Sequence, residues 1–283
     1  MTDPRSPFVT AAWLAGRLDD PALRVIDGSW YLPSAGRDAE ADYQAGHIPG
    51  AVRFDLDTIA DTASGLPHML PSPEAFAAAV GALGIHERQT IVIYDGAGLF
   101  SAPRVRWTFR VMGARDVRIL AGGLPAWIAA GLPLEKHAPR SEPAIFHARM
   151  ERDAVRAAAD MAQIVATGSA QIVDARPAAR FRGEAPEPRP GLRSGHIPGS
   201  RNLPAGELVE NGRLKETDEI AALFAAAGIE PSQKVVTSCG SGVTAAILAL
   251  ALEVIGADKV ALYDGSWAEW GGRDDLPLAT GPA

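Results

Sequence analysis

The chain has one cysteine, Cys239, at the end of a β-branched run, KVVTSC (234–239), where the turn CGSGVT opens into an Ala/Leu-rich stretch from about Thr244. Gly240 and Gly242 let the backbone curl so that successive N–H groups point inward. The helix expected next adds the positive end of its dipole. A sulfur held there is favoured as an anion, and the thiolate is the nucleophilic form of cysteine. A lone cysteine is more often core packing, but the core positions of this run are Val235 and Val236, and Cys239 lies beyond them. Cysteine phosphatases use a similar cradle, with an arginine six residues after the nucleophile to clamp phosphate. Position 245 is Ala and the loop carries no cationic side chain, which argues against phosphate-ester hydrolysis.

Two further groups could serve this nucleophile. Between Asp174 and Arg201 stand six arginines, no lysine and three acids, a local positive cluster. Arginine suits a planar carboxylate because its fork donates two parallel hydrogen bonds. Of the six, Arg176, Arg182, Arg193 and Arg201 are expected to be ordinary solvated loop residues. The second group lies far upstream, in FDLDTIADTASGLPHMLP, where His68 follows Asp57 by 11 residues among turn formers. An Asp can orient an imidazole that exchanges a proton with a hydroxyl. Spacing alone equally describes a surface histidine near a solvated acid.

The elements that must position these residues occur twice. GHIPGA (46–51) returns as GHIPGS (195–200), VIDGSW (25–30) as IVDARP (172–177), and IVIYD (91–95) as KVVTSC. ILAGGLPAWIAAGLPL (119–134) is echoed by ALYDGSWAEWGGRDDLPL (261–278). Asp27 and Asp174 are 147 residues apart, His47 and His196 149, and Asp95 and Cys239 144. A near-constant offset means duplication of a unit of about 130 residues, well beyond solenoid periods. The expected domains are 1–138 and 154–283, joined by a Pro-containing polar linker at 139–153. Within each, RVIDG, TIVIYD and DVRILAGG, then AQIVDAR, KVVTSC and KVALYDG, read as buried strands. PEAFAAAVGALGI and DEIAALFAAAGI read as helices ending in Gly-Ile. Such alternation implies α/β domains, each a parallel sheet with helices on both faces, with ligands beyond the carboxyl ends of the strands. His47 and His196 recur in both halves, including the one without a cysteine, so they are expected to satisfy buried backbone groups; Asp27 and Asp174 receive the same structural reading.

A net charge of -7 argues against nucleic-acid or membrane-surface partners. The single cysteine excludes an intramolecular disulfide and fits a reducing compartment. The start, MTDPRSPFVTAAWLAG, lacks a signal-peptide pattern, and the longest apolar run, Ala245–Leu252, is too short to span a bilayer. The expectation is a cytoplasmic protein. No spacing suggests a metal site or a nucleotide or flavin fingerprint, so no cofactor is expected.

The doubled GHIPG units and the strand–Cys–loop–helix ending resemble the tandem-domain rhodanese family over essentially the whole chain, and CGSGVTA is similar to the active loop of 3-mercaptopyruvate sulfurtransferases. The resemblance implies a catalytically silent N-terminal domain, with Asp95 in the cysteine's place, and a persulfide-forming Cys239 in the C-terminal one. It implies that Arg180 and Arg189, in the RFxG…PEPR stretch, bind the donor, with Gly240, Gly242, Val243 and Thr244 completing the pocket. It also implies a Ser241–His68–Asp57 relay. The implied donor is 3-mercaptopyruvate, and the implied acceptor is cyanide, a small thiol or a thioredoxin-like protein. Relatives that prefer thiosulfate usually carry basic residues directly after the cysteine, where this chain has Gly240 and Ser241. A departure stands at Phe100, where relatives often have tyrosine. The alternatives are a thiosulfate:cyanide sulfurtransferase and, in another class, a non-catalytic module that carries or binds persulfide.

Overall fold

Ile91–Tyr94 and Val235–Ser238 are buried along their whole length, as strands covered on both faces of a parallel sheet must be. They are the third strands in two five-stranded sheets of the computed structural model, which describes residues 6–137, 139 and 141–282. The chain divides into two units. One takes in the chain to Ala60, Pro71–Glu151 and Asn211–Arg213; the other takes in Asp61–Leu70, Arg152–Glu210 and the chain from Leu214. The sequence boundary expected at 138 falls on Ala138, outside the described residues.

The first sheet contains β1 (Phe8–Val9), β2 (Leu23–Asp27), β3 (Val52–Arg53), β4 (Thr90–Tyr94) and β5 (Asp116–Leu120), in the order β1-β5-β4-β2-β3. Its unit carries α1 (Ala11–Ala15), α2 (Ala39–Ala45), α3 (Pro73–Ala82), α4 (Ala102–Val111) and α5 (Gly123–Ala129). The second sheet contains β6 (Val155–Arg156), β7 (Gln171–Asp174), β8 (Arg201–Asn202), β11 (Val235–Ser238) and β12 (Val260–Tyr263), in the order β6-β12-β11-β7-β8. Between β8 and β11 the chain forms a separate two-stranded sheet, β9 (Val209–Glu210) with β10 (Arg213–Leu214). The second set of helices is α6 (Ala158–Thr167), α7 (Ala178–Phe181), α8 (Thr217–Ala226), α9 (Ala245–Val254) and α10 (Ser266–Trp270). Neighbouring strands in both large sheets run parallel. The two orders coincide when each strand of the first sheet is replaced by its duplicate.

Local chemistry accounts for the element ends. Ser72 caps α3 by accepting from the Ala75 N–H, with Pro73 in the first turn, and Gly84, at φ +74°, ends the segment. The runs TIVIYD and KVVTSC end as strands at Tyr94 and Ser238, one residue short of Asp95 and Cys239, which both belong to the turns that follow.

The duplication extends to side-chain anchors. His47 Nδ1 lies 2.8 Å from the Tyr43 carbonyl, and His196 Nδ1 lies 2.8 Å from the Phe181 carbonyl. Each imidazole stacks on the ring of the residue whose carbonyl it bonds, at 3.9 and 3.8 Å between centroids. Trp127 Nε1 donates to the Pro133 carbonyl, and Trp270 Nε1 to the Pro277 carbonyl. The GHIPG histidines are thus structural, as their presence in both halves required.

Burial pushes the pKa of His196 below the ordinary imidazole value; the bond to the Phe181 carbonyl opposes this but does not cancel it. A lowered value means that the unfolded chain takes up the proton more readily than the native protein. The stabilisation is therefore complete above the unfolded value of about 6.5 and is lost as pH falls below it. His196→Gln retains a donor for Phe181, and its unfolding midpoint in urea should vary less between about pH 7.5 and about pH 5.5 than that of the parent. An equal pH dependence in both proteins would remove His196 as its source.

Candidate active site at the strand–helix turn of the second unit

In the second sheet the chain leaves β7 toward β8 on one side and leaves β11 toward β12 on the other. The connections therefore diverge between β7 and β11, and the carboxyl ends of these strands flank the crevice where open parallel sheets bind ligands. Beyond β11 comes Cys239; β7 ends on Asp174, and beyond it come Arg176 and, on α7, Arg180. The topology thereby joins two motifs that stand more than 50 residues apart in the chain.

Cys239 is 2% exposed and held from behind by α10. Its N–H donates to Ser266 Oγ at 3.3 Å, and its carbonyl accepts from the Trp267 N–H at 2.9 Å. The Gly240 carbonyl accepts from the Ala268 N–H, also at 2.9 Å. Ser266 is itself fixed, with φ +49° and its hydroxyl donating to the Tyr263 carbonyl. Ahead of the sulfur, Gly242 takes φ +79°, and Val243 and Thr244 lead into α9. Among the described residues, no acceptor engages the N–H groups of Gly240, Ser241, Gly242 or Val243.

The first unit supplies the contrast. After β4, one oxygen of Asp95 accepts from the N–H groups of Phe100, Ser101 and Ala102 at 2.7, 3.0 and 2.9 Å. Its other oxygen accepts from Ala97 at 2.9 Å. The cradle of this unit is filled by its own carboxylate. The same strand–turn–helix device thus holds a fixed anion in one unit and presents a cysteine in the other.

Both arginines singled out in the sequence reach the Cys239 turn. A β-carbon placed on Gly240 would lie 3.3 Å from Arg180 Nη2 and 3.8 Å from Arg189 Nη1. Glycine at 240 therefore leaves the room that the two guanidinium groups use. Arg189 Nη2 donates to Ser241 Oγ at 3.3 Å, and His68 Nδ1 lies 3.0 Å from the same oxygen. Because a guanidinium only donates, the Ser241 hydroxyl accepts from Arg189 and can direct its own hydrogen to Nδ1 whenever that nitrogen carries none.

His68 is 4% exposed and sits at φ +61°, a conformation that costs a non-glycine residue about 1 kcal/mol or more. Its segment, Asp61–Leu70, belongs to the second unit although chain order would give it to the first. The Asp61 N–H donates to the Met69 carbonyl, closing the segment, and the Leu70 N–H donates to the buried Asp264 carboxylate at 2.7 Å. Asp57 lies in the first unit, exposed, where its carboxylate accepts from Trp30 Nε1 at 3.0 Å.

Two of the arginines expected to be solvated are not. Arg176 is 1% exposed, pairs with Asp174 at 2.7 Å and with Glu187 at 2.8 Å, and lies over the Trp267 ring at 4.4 Å. Burial works against its charge, but Asp174 and then Glu187 outweigh that cost and hold its pKa above the ordinary value. Arg193 donates to the carbonyls of Trp270, Gly271, Arg273 and Leu276, tying down the α10 segment. Glu187, which sequence reasoning passed over, accepts from both Arg176 and Arg180. Its signal was an acid set between two prolines inside an arginine cluster.

The family model of the rhodanese-like domain matches the chain twice, over residues 10–130 and 157–273. The chain is 47% identical over 272 residues to the 3-mercaptopyruvate sulfurtransferase of Escherichia coli (strain K12), covering 96% of this chain and 97% of that protein. It is 42% identical over 271 residues to the thiosulfate sulfurtransferase of Cricetulus griseus, covering 93% and 91%. It superposes on the crystal structure of a 3-mercaptopyruvate sulfotransferase from Escherichia coli with a TM-score of 0.86 and 44% identity, over 93% of this chain and 99% of that one. Twin parallel α/β units, one presenting a cysteine in an amide cradle, define the class of tandem cysteine-bearing α/β proteins. Within that class, the chain belongs to the rhodanese family.

The filled cradle yields a stability test. Asp95→Ala leaves four N–H groups without their acceptor and should cost about 2–3 kcal/mol in urea unfolding, while a change below about 0.5 kcal/mol would mean that the amides find other partners.

Proposed function

We propose that this protein is a sulfurtransferase that takes sulfur from 3-mercaptopyruvate through a persulfide on Cys239 and passes it to a thiophilic acceptor. The observation that carries the reading is the convergence of Arg180 and Arg189 on Gly240, one residue from the only cysteine. Two guanidinium groups suit the carboxylate and keto oxygen of the donor, and their position brings the donor sulfur to the thiolate.

The Cys239 thiolate attacks the donor sulfur, so an S–S bond forms as the C–S bond breaks. The electron pair of the C–S bond leaves with carbon as the enolate of pyruvate. Ser241, with His68 at 3.0 Å behind it, delivers the proton that completes pyruvate. The persulfide rests against the amides of Gly240, Gly242, Val243 and Thr244. An acceptor nucleophile (cyanide, a small thiol or a thioredoxin-like protein) then attacks the outer sulfur and restores the thiolate. In this reading residues 1–138 form the domain without a cysteine, 139–153 the linker and 154–283 the catalytic domain, with His68 contributed by the Asp61–Leu70 segment that packs into the second unit. Among the described residues no helix is long and apolar enough to cross a membrane, and we place the reaction in the cytoplasm.

Thiosulfate is the rival donor, favoured by the similarity to the hamster thiosulfate sulfurtransferase. Gly240 speaks for the smaller charge: a basic side chain after the cysteine would have to displace the two arginines.

Pyruvate release from 3-mercaptopyruvate should exceed thiocyanate formation from thiosulfate and cyanide, and Cys239→Ser should abolish both. The opposite ranking would exchange the donors, and no turnover of either would leave a persulfide-binding module. Arg189→Ala should raise the KM for 3-mercaptopyruvate by about tenfold or more, the worth of a charge-assisted hydrogen bond; an unchanged KM would remove Arg189 from donor binding.

A further inference from the structure

Glu187 stands behind the donor-binding arginines. Its side chain is 1% exposed, it accepts from Arg176 Nη1 at 2.8 Å and from Arg180 Nε at 3.2 Å, and it forms a further close bond to Arg180 Nη2. Arg176 is already matched by Asp174, which receives both its Nε and its Nη2. The second carboxylate is therefore not required to neutralise Arg176, and its remaining oxygen is turned to Arg180, whose guanidinium reaches Gly240 beside the nucleophile. Arg176 and Arg180 thus pair with Asp174 and Glu187, while Arg180 and Arg189 are the two guanidinium groups that reach Gly240.

We infer that Glu187 is a specificity-determining residue: it holds Arg180 at the Cys239 turn and reduces the positive charge there, so that a monoanionic sulfur donor is preferred to a dianionic one. The inference rests on the sulfur-transfer reading above and adds the residue that sets donor charge. The physics does not depend on the total charge of the site. A negative charge close behind the donor repels a dianion about twice as strongly as a monoanion at the same distance, and its removal favours the dianion by the difference. Because Glu187 is buried, added salt screens this term less than it would a surface pair. Glu187 touches no reacting atom; it positions Arg180 and adds its own negative charge behind it.

The test measures kcat/KM with 3-mercaptopyruvate and with thiosulfate, using cyanide as acceptor, for the parent, Glu187→Gln and Glu187→Asp. Glu187→Gln should move the ratio of the two constants about tenfold toward thiosulfate. Glu187→Asp keeps the charge and should leave the ratio within about twofold, even if both constants fall because Arg180 is held less well. A purely structural role would lower both constants together, and an unchanged ratio in Glu187→Gln overturns the inference. Should that variant fail to fold, Arg180→Gln is compared with Arg180→Gln/Glu187→Gln, which leaves Arg180's charge and its partner's charge removed together. The same shift toward thiosulfate on removal of Glu187 supports the inference, and no shift overturns it. If the parent turns over neither donor, the sulfur-transfer reading fails on its own. Thermal shifts with sulfate and with pyruvate then test the charge assignment separately: a gain for sulfate over pyruvate in Glu187→Gln sustains it, and an equal change for both overturns it.

Discussion

A turn of inward-facing amides at the mouth of a helix needs a negative partner, and both halves of this protein are arranged around that need. In the first unit the need is met from within, because the Asp95 carboxylate takes four N–H groups. In the second, the corresponding position is Cys239, and among the described residues no side chain of the turn fills the cradle as Asp95 does. The duplicated strand–turn–helix is thus closed by its own side chain in one unit and left open at the cysteine in the other. The rest of the second unit keeps that turn rigid: α10 grips the Cys239 backbone from behind, and Arg193 ties α10 to the loop before it.

The protein as a whole is acidic, yet its donor is an anion. Arginines placed locally meet the conflict: Arg180 and Arg189 reach the Cys239 turn, and Arg180 ends an alternating chain of charges, Asp174–Arg176–Glu187–Arg180, whose other members are buried. Isolated charges in such a place would be prohibitively costly, and alternating signs make burial tolerable. Arg180 is already held by Glu187, so an anion meeting it would cost little side-chain entropy. Preorganised guanidinium groups next to a narrow glycine turn are a stronger device for selecting a carboxylate than a diffuse positive surface would be.

His68 shows the cost of bringing in a group from elsewhere in the chain. Its left-handed backbone and its closed, Asp264-pinned segment are strained or polar features that simple packing would not select. They place an imidazole on Ser241 from a segment 173 residues away in sequence. Strain of this kind is retained where the surroundings over-determine it.

Much of this was legible in the sequence for identifiable reasons. Duplicated motifs at a fixed offset pointed to two α/β units, β-branched runs alternating with Ala-rich ones to parallel sheets, and Cys-Gly-Ser-Gly to a turn between β11 and α9, because local backbone preferences need only neighbouring residues. The GHIPG histidines were read correctly as structural from their recurrence. Arg176 and Arg193 were misjudged as solvated, Glu187 was passed over, and the membership of Asp61–Leu70 in the second unit ran against chain order. Arg193 and the Asp61–Leu70 segment depend on partners far along the chain, the carbonyls from Trp270 to Leu276 and the Asp264 carboxylate, whereas Arg176 and Glu187 pair within a folded loop that its own polar composition disguised. Sequence alone determined which residues could react and on which elements they lie. Only the tertiary structure decided which groups converge on Cys239, because the sheet order brings β7 beside β11 and no local pattern encodes that distance.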